Sequence, residues 1–210
     1  MSDTAVDGRV RRGAESREAR RAQILERALD VFAKQGYYRA SVTDLVKAAG
    51  VARGTFYLYF DGKEAIFLEL LEQLLTEFRS NIVGADTSPN AAPLADQLAI
   101  IVASILNTLQ NNRSLTRVIF REAVGVDEAV ELRLKEFYNE LFAYIAGTLM
   151  LGQAVGFTRA VETEIVATCI LGSLRGIVQR YVVDKEEPFD ADEMARVIVD
   201  FNLKGIGVDD

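Results

Sequence analysis

Basic and hydroxyl-bearing side chains recur between residues 41 and 63 of this chain. Arginine and lysine pair with phosphate oxygens or a guanine edge, and Ser, Thr and Tyr hydroxyls donate to phosphate oxygens. A glycine among them would let the backbone approach a ligand closely. The pattern therefore indicates binding of a phosphate backbone. We predict base-edge or groove contact for Arg53, Gly54, Thr55 and Leu58, and phosphate contact for Ser41, Thr43, Tyr57, Tyr59 and Lys63.

Two short helices around a glycine would position these side chains. Ser41 and Asp44 have the spacing of a capping box, because the serine hydroxyl can accept from an amide of the first helical turn. Gly50 can take the positive φ that ends such a helix. Phe56 and Phe60 lie four apart and would anchor the second helix. This order favours a helix-turn-helix; the alternative is an ordinary helical hairpin with locally packed tyrosines.

The run AAGVARGTFYLYFDGKEAIFLELL resembles the signature of the TetR/AcrR family of transcriptional regulators. The matching elements are Ala49-Gly50-Val51, Gly54-Thr55-Phe56-Tyr57, Tyr59-Phe60 and Lys63-Glu64. The resemblance covers residues 18–75, and beyond them only the helical pattern and length agree. It implies a homodimer that binds an operator with its first domain and a small ligand with its second, usually as a repressor. Ala40 departs from the family, which more often has a hydroxyl there, and removes one possible phosphate contact.

The composition argues against several classes of protein. With 50% hydrophobic residues in 210, the chain can bury a sizeable core. It has no histidine, which disfavours metal sites and His-dependent catalysis. Its single cysteine, Cys169, excludes an intramolecular disulfide framework. We expect no enzymatic activity and no cofactor. Without a secretory signal or a long uninterrupted apolar run, we expect a cytoplasmic protein with no membrane contact.

The charge is distributed unevenly along the chain. The net charge is −7, but residues 1–60 hold 11 Lys or Arg against 7 Asp or Glu, a balance of +4. The remaining 150 residues hold 13 against 24, a balance of −11. A basic N-terminal part on an acidic body suits a protein that presents one face to nucleic acid. Two independently solvated halves would give the same asymmetry.

The helical periodicity predicts an all-α protein of about nine helices in two domains. We expect a flexible basic arm at 1–16, a three-helix helix-turn-helix DNA-binding domain at 17–61, and a helical ligand-binding and dimerisation domain at 62–210. The arm's arginines could enter the minor groove, or the arm could simply aid solubility.

A broad apolar stripe marks the helix that should connect the two domains. A ligand against this helix could shift it and alter the spacing of two DNA-binding heads, although such a stripe is also typical of plain core. Aromatic and polar residues further along could complete a pocket. Arg175 lies in an apolar helix and should pair with an acid, a backbone carbonyl or an anionic ligand. The pocket candidates are Phe67, Leu71, Phe78, Asn107, Phe120, Tyr138, Phe142 and Arg175.

Small residues in the same apolar helix suggest close helix packing. Gly172 and Gly176 are four apart, and with Val197, Ile198 and Phe201 of the last helix they could form a four-helix dimer interface, where the resemblance also places it. Packing within one subunit is the alternative.

We therefore predict a ligand-responsive, DNA-binding regulator, most simply a repressor that a small lipophilic effector releases from a palindromic operator. The alternative is a DNA-bound protein that recruits a protein partner and has no small-molecule effector. The acidic body suggests a cationic lipophile and Arg175 a carboxylate, so the sequence leaves the effector's charge open.

Overall fold

The structure, a computed structural model, describes residues 3–84, 86–122 and 128–206. Within those residues it contains nine α-helices, one π-helical turn and no β-sheet, which confirms the predicted all-α class. The helices are α1 Asp3–Gln35, α2 Val42–Ala49, α3 Arg53–Tyr57, α4 Lys63–Asn81, α5 Leu94–Asn111, α6 Arg113–Glu122, α7 Glu128–Ala154, α8 Thr163–Val178 and α9 Ala191–Ile206, with the π-helical turn at Gln179–Asp184.

The predicted capping signals around α2 are confirmed. The amide of Asp44 donates to the Ser41 hydroxyl at 3.2 Å, and the Ser41 amide donates to the Asp44 carboxylate at 3.0 Å. Gly50 ends the helix at φ 64°, in the left-handed region that other residues rarely adopt. These two features fix where α2 begins and ends and set the sharp turn into α3.

Helix α1 begins earlier than the sequence analysis expects. The arm was predicted to reach residue 16, but α1 starts at Asp3, and Met1 and Ser2 lie outside the described residues. No proline interrupts this stretch, and Gly8 and Gly13 each cost a helix only about 1 kcal/mol. The backbone of most of the predicted arm is therefore helical, and its contact with DNA stays a prediction.

Helix α4 connects the N-terminal helices with the rest of the core. Its early turns pack against α1, where Phe67 meets the rings of Phe32 and Tyr37 at 6.2 and 5.0 Å between centroids. Its later turns pack against α7, where Phe78 meets Phe137 at 5.3 Å. Buried residues follow its whole apolar stripe, namely Ile66, Phe67, Leu70, Leu71, Leu74, Leu75 and Phe78. The stripe is therefore buried on more than one side, as predicted.

The C-terminal helices form pairs around this central helix. Helix α5 packs along α9, and α7 packs along α8. Helix α6 contacts both α1 and the π-helical turn. Helix α7 runs to Ala154, and the α8 segment ends in a π-helical turn that helical periodicity does not distinguish from an α-helix.

One stretch satisfies the length and composition of a membrane span. Residues Thr163–Asp184 reach a mean hydropathy of 1.2, and 17% of the tested window is buried inside the subunit. Among the described residues no other helix satisfies these conditions. The stretch nevertheless contains Glu164, Arg175 and Arg180, charges that are costly in a bilayer. Apolar length alone is thus weak support for a membrane helix, and an exposed apolar face of α8 accounts for it equally well.

Candidate DNA-binding surface and ligand cavity

Helix α3 is anchored by its aromatic side and presents its polar side to solvent. Phe56 is fully buried and Phe60 nearly so, which confirms their predicted anchoring role. The predicted groove residues Arg53, Gly54 and Leu58 are exposed, Leu58 to 75%. Such exposure of a leucine is what a helix needs if it is to meet the apolar part of a base edge.

The remaining α3 candidates surround that exposed side. Tyr57 is exposed, and the Arg53 guanidinium lies 5.8 Å from its ring centre. Thr55 and Tyr59 are half-buried. The helix ends at Tyr57 instead of continuing to Tyr59, so Tyr59 lies in the turn after it. The structure thus brings these candidates together on one surface, and their DNA contacts stay predictions.

The first turn of α2 lies beside this surface, with Ser41 and Thr43 exposed. The Ser41 hydroxyl donates to the Asp44 carboxylate at 2.6 Å while it accepts from the Asp44 amide. Hydrogen bonds from the Ser41 side chain and backbone hold the pKa of Asp44 below its ordinary value. The hydroxyl of Ser41 is therefore engaged in the cap, whereas the Thr43 side chain forms no hydrogen bond with another described residue.

Lys63 has a structural role that the sequence analysis missed. Its ammonium donates to the carbonyls of Tyr37, Tyr38 and Ala40 at 3.0, 3.3 and 3.0 Å, and lies 4.5 Å from the Tyr37 ring centre. An ammonium has three N–H donors, so these bonds use all of them. Lys63 holds the turn between α1 and α2 against the start of α4. A phosphate contact by the same group would compete with these bonds.

Arg21 also links the helices beneath the polar surface, and no local motif indicated it. Its guanidinium forms an ion pair with Glu69 of α4 and lies 4.8 Å from the Phe60 ring centre. Partners this far apart along the chain cannot be inferred from spacing. Through Arg21 and Lys63, α1 and the residues flanking α2 and α3 are tied to the first turns of α4.

An apolar cavity of about 240 Å³ lies between helices α4 to α9. Five of the predicted pocket residues line it: Leu71, Phe78, Phe120, Tyr138 and Arg175. Its wall is almost wholly aliphatic and aromatic, as is typical of sites for lipophilic ligands. The cavity also opens to solvent, so a ligand could enter it.

Three predicted pocket residues lie elsewhere. Phe67 is fully buried one turn before Leu71, where α4 still faces α1. Asn107 is exposed, because its position on α5 is turned by about 100° from that of the cavity residue Leu106. Phe142 is half-buried but does not reach the wall. The prediction of these three as ligand contacts is corrected.

Most of the wall was not predicted. Aliphatic residues of α5, α8 and α9 supply much of it, including Leu98, Ile101, Ile105, Ile170, Leu174 and Ile198. Their spacing of three and four along each helix gave a signal, but core residues have the same spacing. Only the gap left between helices separates a cavity wall from a filled core.

Arg175 is the only charged side chain among the described residues that line the cavity. It is exposed, and its guanidinium lies 5.6 Å from the centre of the Tyr138 ring. Its side chain forms no hydrogen bond or ion pair with any residue that the structure describes. A structural or intersubunit pair was the favoured expectation; the described residues of one subunit contain no such pair, and an intersubunit pair stays a prediction.

The proposed dimer residues divide into two groups. Val197 and Phe201 of α9 are 64% and 72% exposed. Gly172 and Gly176 of α8 are also exposed, and apart from the local backbone of α8 no atom lies within 4 Å of where their side chains would begin. Ile198, in contrast, is only 6% exposed and lines the cavity of its own subunit. Its assignment to a dimer interface is therefore wrong, because it faces inward from α9.

Three arginines at four-residue spacing connect α6 to the end of the α8 segment. Arg113 donates to the carbonyls of Lys185 and Glu187, and Arg117 to those of Val183 and Lys185. Arg121 also reaches the Val183 carbonyl, at 3.4 Å. The bonds to Val183 and Lys185 satisfy carbonyls that the end of a helix leaves without partners, and the bond to Glu187 holds the loop that follows. Since α6 also lines the cavity and contacts α1, it joins the cavity to the DNA-binding helices.

Comparison with known proteins agrees with this arrangement. Residues 24–70 match the family model for bacterial regulatory proteins of the tetR family, and residues 67–205 match the model for the YsiA-like protein C-terminal region. The fatty acid metabolism regulator protein of Bacillus subtilis is 23% identical over 88% of this chain and 94% of its own.

Two solved structures have the same fold. The fatty acid degradation regulator FadR from Bacillus halodurans superposes with a TM-score of 0.69 and 26% identity, over 89% of this chain and 95% of its own. FadR from Bacillus subtilis, solved with stearoyl-CoA, gives a TM-score of 0.68 and 24% identity, over 88% and 98%.

The two family models together cover the helix-turn-helix and the helical body. The order of helices, the exposed polar side of α3 and the cavity in the body are consistent with both matches. Proteins of this kind regulate transcription through a DNA-binding helix-turn-helix and are not enzymes. The chain belongs to the TetR family of bacterial transcriptional regulators.

Proposed function

We propose that this regulator is a homodimeric repressor that a lipophilic small molecule releases from a palindromic operator. The observation that carries the proposal is the apolar cavity of about 240 Å³ between α4 and α9. Its wall includes residues of α4 and α6, the two body helices that also contact α1. A molecule in this cavity would therefore touch the elements that carry the DNA-binding helices.

The surface around α3 supports operator binding by this dimer. Arg53, Gly54, Thr55 and Leu58 would meet the major groove, and hydroxyls of Thr43, Tyr57 and Tyr59 would donate to phosphates. In a two-fold dimer the two α3 helices would enter successive major grooves roughly 34 Å apart. A palindromic operator follows from the symmetry.

Exposed faces of α8 and α9 support the dimer. Ile165, Val197 and Phe201 are each more than 60% exposed, which is costly for large apolar side chains in water. The exposed Gly172 and Gly176 would let a partner helix approach α8 closely. Burial of this face in a dimer accounts for the apolar composition of α8 in a cytoplasmic protein.

Ligand binding would act through α4 and α6. Ligand-driven release requires that the effector binds one arrangement of the dimer more tightly than the arrangement that fits the operator. Filling the cavity would displace α6 or the late turns of α4, and Arg21 and Lys63 would transmit the shift to α2 and α3. A small rotation of the two DNA-binding units is enough to release the operator, because both units must fit their half-sites at the same time.

A lipophilic effector also agrees with what is known of the relatives. FadR from Bacillus subtilis was solved with stearoyl-CoA, and a second similar sequence is the fatty acid metabolism regulator protein of Bacillus subtilis. The competing hypothesis, a DNA-bound recruiter of a protein partner, would need no cavity. A fully packed body would favour it, and the open apolar cavity favours the sensor.

A matched pair of substitutions on α5 tests the cavity. Ile105 lines the cavity, whereas Ile100 is 66% exposed on the outer side of the same helix. We expect Ile105→Phe to lower the affinity for a non-ionic apolar dye such as Nile red by about ten-fold or more, because the ring fills the ligand's space. Ile100→Phe should leave dye binding unchanged. Equal dye binding by both variants would contradict a ligand site between α4 and α9.

A further inference from the structure

The body of this protein is acidic, yet its cavity carries the opposite charge. The residues after position 60 hold 24 Asp or Glu against 13 Lys or Arg. Among the described residues that line the cavity there is no carboxylate, and Arg175 is the one cation. The acidic surplus therefore lies on other surfaces. The local charge that a ligand would meet in the cavity is positive.

The Arg175 side chain is placed at the edge between apolar wall and water. Its neighbours on the cavity side of α8, Leu171, Leu174 and Val178, line the same cavity. Arg175 itself is exposed in the single subunit, so its guanidinium lies at the outer edge of the cavity. A ligand whose apolar part fills the cavity would have its other end beside this group.

The contact with Tyr138 leaves the hydrogen-bonding edge of Arg175 available. The guanidinium carbon lies 5.6 Å from the ring centre, close enough for a cation–π contact that uses the flat face of the group. The N–H donors point outward from the edge of that plane, in the fork that matches the two oxygens of a carboxylate or phosphate. No described residue accepts from them.

Most of the other polar groups of the cavity are already engaged in hydrogen bonds. Thr116 donates to the carbonyls of Leu109 and Asn112, Thr148 to that of Tyr144, and Asn202 to that of Ile198. The Tyr144 hydroxyl donates to the Val83 carbonyl at 2.8 Å. These bonds are made within the protein. Among the described cavity residues, Arg175 is the one charged group, and its side-chain donors are left for a ligand.

We propose that the effector is an amphipathic anion, whose apolar chain fills the cavity and whose anionic oxygens bind the Arg175 guanidinium at the cavity mouth. This proposal rests on the proposed function, because it specifies the charge of the effector for the same cavity. The anionic oxygens could be the carboxylate of a free acid or the phosphates of an acyl thioester. Either group would accept hydrogen bonds from the N–H donors of the Arg175 guanidinium.

The test compares ligands that differ only in their head group. Displacement of Nile red from the full-length protein would be measured with decanoate, decanol and decyltrimethylammonium at pH 7.4. We expect wild type to bind decanoate about ten-fold more tightly than decanol, as one charge-assisted contact provides, and the ammonium most weakly. In Arg175→Gln the preference for decanoate over decanol should disappear, while decanol affinity stays within about two-fold.

Two control variants separate this role from others. Arg180→Gln removes an exposed cation from the same segment that does not line the cavity, and it should keep the wild-type preference. Arg175→Lys keeps the charge but loses the fork, and it should retain only part of the preference. Decanoyl-CoA distinguishes the two sources: Arg175-dependent binding of the thioester with weak decanoate binding identifies the phosphates, and strong decanoate binding identifies the carboxylate.

Other results would overturn the proposal in distinguishable ways. Equal affinity for the three ligands in wild type and Arg175→Gln would overturn the role of Arg175 but leave a lipophilic effector in place. Failure of all the ligands, including decanoyl-CoA, to displace the dye would overturn the proposed effector site itself. A change confined to dimer dissociation, measured by analytical ultracentrifugation, would assign Arg175 to an intersubunit pair and overturn the anion site.

Discussion

Side chains around α3 separate into those that hold the DNA-binding unit together and those that face solvent. Phe56, Phe60 and Lys63 belong to the first group, since two are buried and the third is bonded to three carbonyls. Arg53 and Leu58 belong to the second. Substitutions in the first group should reduce stability, whereas those in the second should change DNA binding alone.

Lys63→Ala tests this division most sharply. The variant leaves three carbonyls without their donor, so we expect a loss of about 1–3 kcal/mol in the free energy of unfolding, measured by urea denaturation. Lys34→Ala, an exposed lysine in the last turn of α1, should change it by less than about 0.5 kcal/mol.

The DNA affinity of the same variant tests the phosphate contact predicted from sequence. Loss of one phosphate contact lowers the slope of log K against log salt by about one. A destabilised Lys63→Ala with an unchanged slope would assign the lysine to the α1–α2 turn alone.

The cap of α2 predicts a pH dependence at a single residue. The pKa of Asp44 lies below its ordinary value of 3.8 because Ser41 hydrogen-bonds the charged carboxylate. A carboxylate with a depressed pKa in the folded state adds stability above its unfolded pKa, and this stability is lost as the pH falls through the folded value.

Asp44→Asn should therefore be less stable than wild type at pH 7, with a difference in melting temperature that shrinks below about pH 4. Thermal unfolding followed by circular dichroism measures this difference. A difference for Asp44→Asn that stays constant down to pH 3 would contradict the capping role of the carboxylate.

Local features of the DNA-binding unit could be predicted from the sequence, and distant pairings could not. The Ser41 cap, the Gly50 turn and the Phe56 anchor depend on residues within a few positions, where spacing determines geometry. Lys63 bonds residues 23 to 26 positions earlier, and Arg21 pairs with a residue 48 positions later. Such partners are brought together only by helix packing, which no spacing rule encodes.

Among the helices, α4 and α6 connect the cavity with the DNA-binding unit by different means. The later turns of α4 are held to α7 by ion pairs of Arg79 with Glu140 and of Arg133 with Glu72. The hydrogen bond from Arg79, supported by Arg133, lowers the pKa of Glu140. Helix α6 is instead hydrogen-bonded through its arginines to the carbonyls at the end of the π-helical turn. A ligand could therefore shift α6 without breaking the α4–α7 contacts.

Arg117→Ala tests the role of α6. It removes donors to the carbonyls of Val183 and Lys185, so the attachment of α6 to the π-helical turn weakens. We expect a smaller ratio between operator dissociation constants with and without effector, by about three-fold or more, which corresponds to part of a typical coupling energy. The ratio is measured by fluorescence anisotropy with labelled operator.

Arg196→Ala is the matched control, because this arginine is exposed on α9 and does not line the cavity. Its coupling ratio should equal that of wild type. If Arg117→Ala also kept the wild-type ratio, α6 would not transmit the ligand's effect, and α4 alone would remain as the route.

Apart from the early start of α1, helix positions could be predicted within a few residues, but their faces could not always be assigned. Ile198 was expected to face a partner and instead lines the cavity, whereas its neighbour Val197 is exposed. Adjacent residues differ by about 100° around a helix, so two apolar neighbours look equivalent until the packing is known. The same ambiguity misplaced Asn107, whereas Phe67 lies on the same face as Leu71 but one turn too early to reach the cavity.

For the whole molecule, the exposed apolar faces and the split charge indicate an assembly that the single subunit does not complete. In a single subunit Val197 and Phe201 are exposed to solvent. The basic residues lie toward the N-terminal end of the chain. A two-fold dimer through α8 and α9 would bury the apolar face.

The cavity was less predictable from the sequence, because its wall and the filled core use the same residue types.

Phe201→Glu tests the dimer. A charge placed in a buried apolar interface should shift the protein to monomer in analytical ultracentrifugation at micromolar concentration. Because a monomer reaches one half-site, operator affinity should fall by about a hundred-fold or more. Leu132→Glu, at an exposed leucine of α7, should remain dimeric. A dimeric Phe201→Glu would exclude an interface centred on α9.

The measurement that tests the central claim most directly is operator binding with and without lipophilic ligands. Fluorescence anisotropy would follow full-length protein on DNA from around its own gene, at several salt concentrations and against a panel of amphipathic compounds. A ligand-gated repressor predicts specific, steeply salt-dependent binding that one class of compound releases. Specific binding that no compound alters would contradict ligand gating and favour a DNA-bound recruiter of a protein partner.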